Sequence, residues 1–530
     1  SNALAGHLLE TRPDIQQVVV DWQRRTPTET RNPMASALEY NQDLKSALLS
    51  ETPWVQDAMN EEERARDLVR FFDSNRIEAE QQDLLEQLRD LQGPQGGFSW
   101  FARDRENWYT TQSILEGFGH LKALLGSAFS LSPLNQRMVD NAIAYMDEKV
   151  ARAYDQTDKP DLTAFLIHSL YTRSFFEAPI PERSRKAYAY FLSLASTQWP
   201  KRSVYEQGMI ALCLHRTGDP ETADLILQSL TDRSLFSAEL GRYWKYTEGY
   251  TWNQLPVKTH TLLMEAFDEI KGDTAFLESM KIWLLKHKQT NSWRSGKSTA
   301  AAVYVLLKSG EDWLKKTGPI EIKMGENLLD VQDIQKEAGT GYFRKDWSGK
   351  EVEPQLAEIS ISNPNAHIAW GGLYWQYFED LDKISAFRET PLTLRKSVYK
   401  TIDSPEGPRL VQLSANDPLR PGDLLTIRIE LAVDRDMEYV HMKDMRASGF
   451  EPLHVLSGYR YRSGLGYYES TRDLATHFYF SRLPKGAYAF EYPVRVAQAG
   501  DFSSGITTIQ SMYAPEFSSH SEGTRIVVQE

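Results

Sequence analysis

Cysteine is almost absent from this sequence, because a single residue, Cys213, occurs among 530. One thiol excludes an intrachain disulfide and a zinc site built from cysteines. Positive charge is also in short supply. The sequence has 60 Lys and Arg but 73 Asp and Glu. The resulting net charge of −13 disfavours nucleic acid and anionic membranes as partners. The sequence has no run of about 18 apolar residues, so it predicts no membrane-spanning helix.

Familiar catalytic and cofactor signatures are missing as well. The sequence contains no GxxxxGKS/T, no GxGxxG, no HExxH and no paired Cys/His cluster, so we expect no cofactor, no metal site and no catalytic residue. The remaining composition, 41% hydrophobic and 25% charged, is typical of a globular protein, and the length suits two to four domains. Residues 1–3, Ser-Asn-Ala, resemble an expression scar and are excluded from the fold prediction.

Residues 4–313 predict helices almost throughout. Apolar residues recur with helical periodicity, and short connections contain helix breakers. The pattern recurs roughly every 40–50 residues, which suits one two-helix hairpin per repeat. Such hairpins either stack into an open solenoid or close into an α/α toroid. Closure is favoured because four loop tryptophans could gather at one end of a toroid: Trp100, Trp108, Trp252 and Trp293.

Three loops in this region share one layout. They are GGFSWFARDRENWYTTQSILEGF (96–118), GYTWNQLPVKTHTLLMEAF (249–267) and NSWRSGKSTAAAV (291–303). In each, a loop rich in Gly, Trp and Asn delivers a Thr to the first turn of a helix, where its hydroxyl can cap free backbone N–H groups. Thr163 is one further site of the same kind. We therefore predict that helices begin at Thr111, Thr163, Thr259 and Thr299.

The pattern changes after residue 317. Alternating segments such as GPIEIKMG and LAEISISNP predict a small β unit over 318–383, which is short for an independent domain and needs a partner to close its core. Residues 384–530 contain about seven strand candidates separated by turn signals, which predicts one β-sandwich. The predicted fold class is therefore a multidomain α plus β chain, an α/α toroid followed by β-sandwich domains.

Several reactive side chains in the helical region favour structural roles. His168 and His215 lie inside helices and are predicted to pack or to face solvent. His260 lies at a helix start, where capping or packing is expected, and His120 lies near a helix end, where positive charge is favourable. Cys213 lies in the apolar helix MIALCLH and is predicted to be a buried, inert thiol.

Six segments together resemble a known family. GGFSWFARDRENWYTTQSIL, VKTHTLLMEAF and SWRSGKSTAAAVYVLLKSG resemble the thioester-domain motifs of alpha-2-macroglobulins. DRDMEYVHMKDMRASGFEP, LPKGAYAFEYPVRVAQAGDFSSG and IQSMYAPEF resemble the last macroglobulin-like domain of the bacterial members. Two departures are visible: Lys258 stands where the family often has Glu, and Gly296 with Lys297 interrupts a Ser-Thr step.

The resemblance implies a domain plan. Residues 4–313 would be the α/α-toroid thioester-type domain, truncated at its N-terminus. The unit at 318–383 would be the second half of a split CUB-type domain whose first half lies upstream. Residues 384–530 would be the terminal macroglobulin-like sandwich. The partners implied are target proteases, bound through an upstream bait segment, and the remainder of the chain itself.

The function implied is that of a bacterial protease trap rather than an enzyme. A protease cuts the bait segment, the molecule rearranges around it and, where present, a Cys–Gln thioester in Cys-x-Glu-Gln acylates a protease lysine. This sequence has no Cys-x-Glu-Gln, and LAGHLLETRPDI (4–15) resembles the helix just after it, so we expect the sequence to begin past the motif. Two alternatives stay open: the full protein has the motif, or it belongs to the branch of the family without a thioester. The resemblance also implies a periplasmic or cell-envelope location, with a lipid anchor as an open alternative.

Two sets of residues are candidates for shielding a thioester. Met512 and Tyr513 match the place of a tyrosine that covers the thioester in bacterial relatives; the alternative is an aromatic that closes its own sandwich. The second set is an aromatic loop cluster, for which the alternative is plain packing at the end of the toroid: Trp100, Trp108, Tyr109, Trp252 and Trp293.

Two other functions stay open from the sequence. An α/α-barrel polysaccharide lyase or glycoside hydrolase with an appended β-sandwich would need Asp104, Glu106, Asn107 or Tyr109 clustered in an open cleft, since paired carboxyls perform general acid/base catalysis. A binding scaffold would instead grip a peptide with its aromatic loops.

Overall fold

The computed structural model describes most of the chain from Ser74 onward. The described residues are 17, 20, 74–156, 160–237, 240–246, 255–288, 293, 295–309, 320–331, 334, 343–364, 369, 371–373, 375, 378–405, 407–414, 417–462, 464–512 and 517–530. The predictions made for residues 1–15, Trp252 and Tyr513 lie outside these residues. The chain divides into two compact units between residues 368 and 369, which is within the segment 318–383.

Ten α-helices are described in the first unit. Most begin at a side chain that accepts a hydrogen bond from the first turn, such as Ser132, Asp219 and Asp273, and Ser203 forms a complete capping box with Glu206. The helices are α1 (Ser74–Asp90), α2 (Trp108–Leu125), α3 (Pro133–Asp155), α4 (Ala164–Arg173), α5 (Glu182–Gln198), α6 (Val204–Thr217), α7 (Pro220–Asp232), α8 (Pro256–Ile270), α9 (Thr274–Lys286) and α10 (Gly296–Lys308).

Five of these helices close into a ring. The helices α2, α4, α6, α8 and α10 contact one another in that order, and α10 contacts α2. The helices α3, α5, α7 and α9 lie outside and pack against their inner neighbours. A continuous apolar core fills the space between the two layers and includes Ile167, Phe191, Met209 and Leu263. Each hairpin therefore buries one apolar face that it could not bury alone.

Two small sheets complete the first unit. The strands β1 (Leu235–Ser237) and β2 (Gly241–Tyr243) form a hairpin. Gly241 has φ +67°, and a Cβ there would lie 2.1 Å from the Ser279 carbonyl oxygen, so only glycine fits where the hairpin meets α9. A three-stranded sheet of order β4-β3-β5 consists of β3 (Glu321–Met324), β4 (Asn327–Leu328) and β5 (Ile359–Ser362).

The described residues of the second unit form two large antiparallel sheets and one small one. The strands are β6 (Leu392–Ile402), β7 (Arg409–Gln412), β8 (Leu424–Val433), β9 (Met437–Met445), β10 (Phe450–Pro452), β11 (Gly458–Arg462), β12 (Leu465–Thr471), β13 (Ala475–Leu483), β14 (Gly486–Val496), β15 (Gly500–Ser503), β16 (Thr507–Ser511), β17 (Ser518–His520) and β18 (Arg525–Val528). The two large sheets have the orders β10-β14-β8-β6-β7 and β11-β12-β13-β9-β16-β17, and β15 pairs with β18 in the small sheet.

The two sheets share one core, because alternate residues of the strands are buried. In β8 the buried residues include Leu425, Ile427 and Ile429, and they belong to one apolar cluster with Phe478 and Phe480 of β13. A period of two along each strand sends one face to the core and leaves the other for polar residues. The predicted fold class, a helical region followed by a β-sandwich, is confirmed.

Candidate functional site at the first turns of the inner helices

The first turns of three inner helices lie at one end of the ring. The Lys297 Nζ at the start of α10 donates a hydrogen bond of 2.8 Å to the hydroxyl of Tyr109 at the start of α2, and it lies 4.5 Å from the centre of that ring. The rings of Tyr109 and Phe165, which is at the start of α4, are 6.3 Å apart. The inner helices therefore run in the same direction, and the loops that precede them share this end.

The threonines of the repeated loop layout fasten the loop to the helix rather than cap it. The backbone N–H of Phe98 donates to Thr111 Oγ1 at 2.8 Å, and that of Trp293 donates to Thr299 Oγ1 at 3.1 Å. Both hydroxyls donate in turn to the carbonyl four residues earlier. The predicted capping by these two threonines is wrong.

Polar side chains one turn earlier perform the capping. Asn107 caps α2 and Ser295 caps α10, whereas Thr163 caps α4 as predicted. Thr259 also differs from the prediction, because its hydroxyl donates to the carbonyl of Leu255 at 3.1 Å and no side chain caps α8. A threonine on the fourth residue of a helix lies too far along to reach the first free N–H groups, but it can accept from the loop.

The double glycine of the first loop allows a close approach to α3. Gly96 has φ +94°, and a Cβ there would lie 2.4 Å from the Asn141 carbonyl oxygen. A Cβ on Gly97 would lie 2.6 Å from the Tyr145 ring. Side chains at these positions would displace the loop, so the glycines fix where the following Phe98, Trp100 and Phe101 stand.

The predicted aromatic loop cluster is partly assembled. Trp100, which is 55% exposed, stacks on Tyr109 with ring centres 6.2 Å apart, and Trp108 lies 6.2 Å from Phe165. The Trp108 ring N–H donates to Ser169 Oγ at 3.1 Å. Trp293 is instead buried, with its ring N–H donating to the carbonyl of Leu284 at 2.8 Å. This end of the ring therefore presents an exposed aromatic surface beside one lysine.

A buried charged layer lies in the ring behind the aromatic surface. The Glu116 carboxylate of α2 accepts a hydrogen bond from His168 Nε2 of α4 at 2.8 Å and lies 3.6 Å from Lys258 Nζ of α8. Lys258 Nζ also lies 5.5 Å from the centre of the Tyr205 ring on α6. Four inner helices thus meet around one carboxylate. The lysine that departs from the family pattern is the partner of this glutamate.

The charges of this layer stabilise one another. Burial would raise the pKa of Glu116, but Lys258 and His168 outweigh burial and hold that pKa well below its usual value. Burial would lower the pKa of Lys258, but Glu116 and Tyr205 raise it instead. Both groups are therefore charged at neutral pH, and each would be a costly buried charge without the other.

A second layer lies farther along the ring axis and centres on Glu265 of α8. Its carboxylate accepts hydrogen bonds from side chains of three other inner helices. These are Tyr171 of α4 at 2.7 Å, Arg216 of α6 at 2.9 Å and Tyr304 of α10 at 3.3 Å. His120 of α2 places its Nε2 3.6 Å away. One carboxylate thus contacts all four of the other inner helices, and its neighbours lower its pKa against the effect of burial.

His260 is a packed side chain, as predicted. Its ring stacks on Trp283 with centres 4.3 Å apart, and its nitrogens are paired with the Tyr246 hydroxyl and the Met280 carbonyl. Burial lowers the pKa of His260 to about 3, from its ordinary value of 6.5. The unfolded chain therefore takes up a proton below pH 6.5, whereas the folded ring does so only near pH 3.

We expect the ring to have its full free energy of unfolding above pH 6.5. Below that pH the free energy of unfolding should fall, because His260 binds a proton in the unfolded chain but not in the folded ring. The limit for one group is about 1.4 kcal/mol per pH unit. Buried glutamates with lowered pKa add to the loss only below about pH 4.5, so they do not contribute to the slope between pH 6.5 and 5. Urea unfolding of a His260→Gln variant should show a shallower slope in this window; an unchanged slope would contradict the assignment.

The remaining sequence-predicted residues make local contacts. The Asp104 carboxylate accepts from the Arg105 backbone N–H, and that of Glu106 accepts from the Gln95 backbone N–H at 2.7 Å. These contacts hold the first loop together, so nothing here favours a sugar-cleaving pair. Burial raises the pKa of the Cys213 thiol to about 12, in accord with an inert role. Met512 is buried, and its backbone N–H donates to the Tyr439 carbonyl at 2.9 Å.

Sequence reasoning missed the two charged layers. Glu116, Lys258 and Glu265 occur within apolar helical periodicity, where charged residues are almost never fully buried unless they are paired. The signal in the sequence that could have revealed the layers is a charged residue at a position that belongs to the apolar face of a helix. Among the described residues there is no group of three His, Cys, Asp or Glu side chains that could hold a metal ion. Across the same residues, no helix combines the length and apolar character needed to cross a membrane.

Comparisons with known proteins bear on the sandwich first. Residues 392–516 match the family model of the bacterial alpha-2-macroglobulin MG10 domain. No curated protein matches the chain. Trypsin-activated alpha-2-macroglobulin from Escherichia coli is similar over 88% of this chain and 30% of its own, with 11% identity and a TM-score of 0.42. Salmonella alpha-2-macroglobulin reacted with methylamine is similar over 98% of this chain and 31% of its own, with 14% identity and a TM-score of 0.31.

A shorter solved structure of the same relative is similar to this chain as well. Native E. coli alpha-2-macroglobulin from domain MG7 to the C-terminus is similar over 86% of this chain and 68% of its own, with 10% identity and a TM-score of 0.35. The chain spans less than a third of the first of these solved structures. Residues 392–516 thus resemble the bacterial alpha-2-macroglobulin MG10 domain, and the predicted resemblance of this chain to the C-terminal portion of that family is confirmed.

Proposed function

We propose that the chain is the C-terminal part of a bacterial protease trap that inhibits proteases by enclosing them and has no catalytic activity of its own. The match of residues 392–516 to the MG10 domain carries this proposal. Solved relatives include E. coli alpha-2-macroglobulin activated by trypsin and by porcine elastase. The partners of this protein are then proteases, and its place of action is the periplasm or the cell envelope.

In this proposal the end of the ring with the exposed aromatics houses a thioester or is descended from one that did. Support comes from Trp100, Tyr109 and Phe165, which form an apolar surface at the first turns of α2 and α4. An acyl donor against such a surface is kept from water until it is exposed, which slows its hydrolysis.

The test uses the protein as the gene encodes it, mixed with trypsin or elastase. We expect the trapped protease to keep its activity on a small chromogenic peptide and to lose most of its activity on a large protein substrate. Enclosure excludes substrates by size, whereas a blocked active site would stop both reactions. Equal activity on the large substrate, with and without the protein, would refute the proposal.

The thioester is tested separately. After the protease reaction, a protease–trap conjugate that survives boiling in detergent is expected, because acyl transfer to a lysine forms an amide bond. Prior incubation with methylamine should abolish the conjugate, since the small amine consumes the acyl donor. Trapping without a conjugate would retain the trap and reject the thioester.

A further inference from the structure

The strand β11 forms one edge of the six-stranded sheet, and it is the most exposed aromatic strand of the sandwich. Tyr459 is 65% exposed and Tyr461 is 77% exposed, and Arg460 and Arg462 alternate with them. Just before the strand, Val455 and Leu456 are also exposed. Tyr and Arg are the side chains that interfaces favour, and large exposed apolar patches mark interaction sites.

The hairpin register decides which backbone groups point outward. Arg462 pairs with Leu465 across a two-residue turn that includes Gly464 at φ +81°. The pair that closes such a turn is hydrogen-bonded, and hydrogen-bonded pairs alternate with non-bonded ones along an antiparallel ladder. The N–H and C=O groups of Tyr459 and Tyr461 therefore point away from β12. Within the described residues β11 pairs with β12 alone.

The two faces of β11 differ in character. Tyr459 lies opposite Tyr468, and the two rings meet edge to face with centres 5.1 Å apart. Arg460 lies opposite Tyr467, whose ring is in the sandwich core, and Arg462 lies opposite the buried Leu465. The arginines are thus on the core-facing side of the sheet, at its edge, where they stay exposed. A strand added at this edge would face tyrosines on one side and guanidinium groups on the other.

Charged side chains at a sheet edge commonly protect it from unwanted pairing. A second copy of β11, added antiparallel, would place four arginines on one face, and like charges across strands are destabilising. Arg460 already lies 3.9 Å from the Glu469 carboxylate of β12, and a neutral strand would bring no further carboxylate to either arginine. An acidic strand would be attracted by them. The arginines therefore select the occupant of this edge by charge.

We propose that β11 is a docking edge for an extended acidic segment of another polypeptide, which adds to the sheet as an antiparallel strand. Carboxylates at every second position of that segment contact Arg460 and Arg462, and the intervening apolar residues contact Tyr459 and Tyr461. The backbone hydrogen bonds supply affinity, and the alternating side chains supply specificity. This binding surface does not depend on the protease trap.

The test is fluorescence anisotropy of the 530-residue chain with a labelled, blocked peptide of sequence Val-Glu-Val-Glu-Val-Glu-Val. We expect binding that weakens as salt is added, and at least about tenfold weaker binding of the peptide with Lys in place of Glu. Reversing the charges in an Arg460→Glu, Arg462→Glu double variant should invert this preference. Equal binding of the two peptides, or no binding of the acidic one, would overturn the proposal.

A matched pair of variants tests strand addition itself. Tyr461→Pro removes an outward N–H that makes no bond within the hairpin, whereas Tyr461→Thr removes the ring but keeps the N–H. We expect the proline variant to bind at least about tenfold more weakly than the threonine variant, with equal unfolding midpoints. Equal affinity would overturn the proposal. So would a wild-type dimer that Tyr461→Pro converts to a monomer, because the occupant would then be a second copy.

Discussion

Replacing Glu265 by alanine is expected to lower the free energy of unfolding of the helical ring by about 3–5 kcal/mol. The carboxylate contacts side chains of the four other inner helices, including Tyr171, Arg216 and Tyr304. Its removal leaves several buried polar groups without their acceptor, and each such group costs about 1–3 kcal/mol. Arg216 keeps its bonds to Glu269, which limits the loss.

Urea unfolding followed by tryptophan fluorescence measures this effect on the ring. The sandwich strands from Leu392 onward contain no tryptophan, so the signal comes from residues that precede them. The control is Glu177→Ala, which removes a carboxylate that is 92% exposed and paired with Lys122 at 3.3 Å. That change should cost no more than about 0.5 kcal/mol. Similar losses for the two variants would show that the central carboxylate does not hold the ring together.

The second large effect is expected at Glu116 and Lys258. Lys258→Met leaves a buried carboxylate that is still hydrogen-bonded to His168, and Glu116→Leu leaves a buried ammonium group, so each change alone should cost about 3–5 kcal/mol. The double variant should cost much less than the sum. Replacement of a buried ion pair by apolar residues of similar volume is often nearly neutral.

The double-mutant cycle measures the coupling between the two residues, and we expect at least about 2 kcal/mol. Arg152 and Glu148 are the matched control, because they form an exposed pair on α3 with a separation of 2.7 Å. Coupling in that pair should be about 0.5 kcal/mol or less. Additive losses at Glu116 and Lys258 would show that the pair does not act as a unit and that Lys258 does not compensate for Glu116.

Local signals predicted the helices well, but they indicated about seven strands after residue 384, whereas the described residues there form thirteen. Breakers such as TGDP and KGD mark helix ends because Gly218 adopts φ +101° and because Asp219 and Asp273 cap the next helix. Strands in the sandwich were predicted because apolar and polar residues alternate where one face is buried. These signals act within a few residues, so they can be read from a single chain.

The roles of the loop threonines could not be predicted from such local signals. Thr111 and Thr299 match a capping residue by type and position, but their hydroxyls accept from Phe98 and Trp293. The acceptor role depends on how the loop folds back across the helix. That path is set by Gly96 and Gly97, which let the first loop pack directly onto α3.

The sequence by itself determined the kinds of elements, their order and the division into a helical region and a sandwich, because periodicity, caps and turns are local. It also predicted the resemblance to alpha-2-macroglobulins, through motifs spread along the chain. The tertiary structure alone decided that Glu116, Lys258 and Glu265 are partners at the centre of a ring. Their side chains belong to helices far apart in sequence, and only ring closure directs those helix faces toward one axis, where a buried charge must find its counterion.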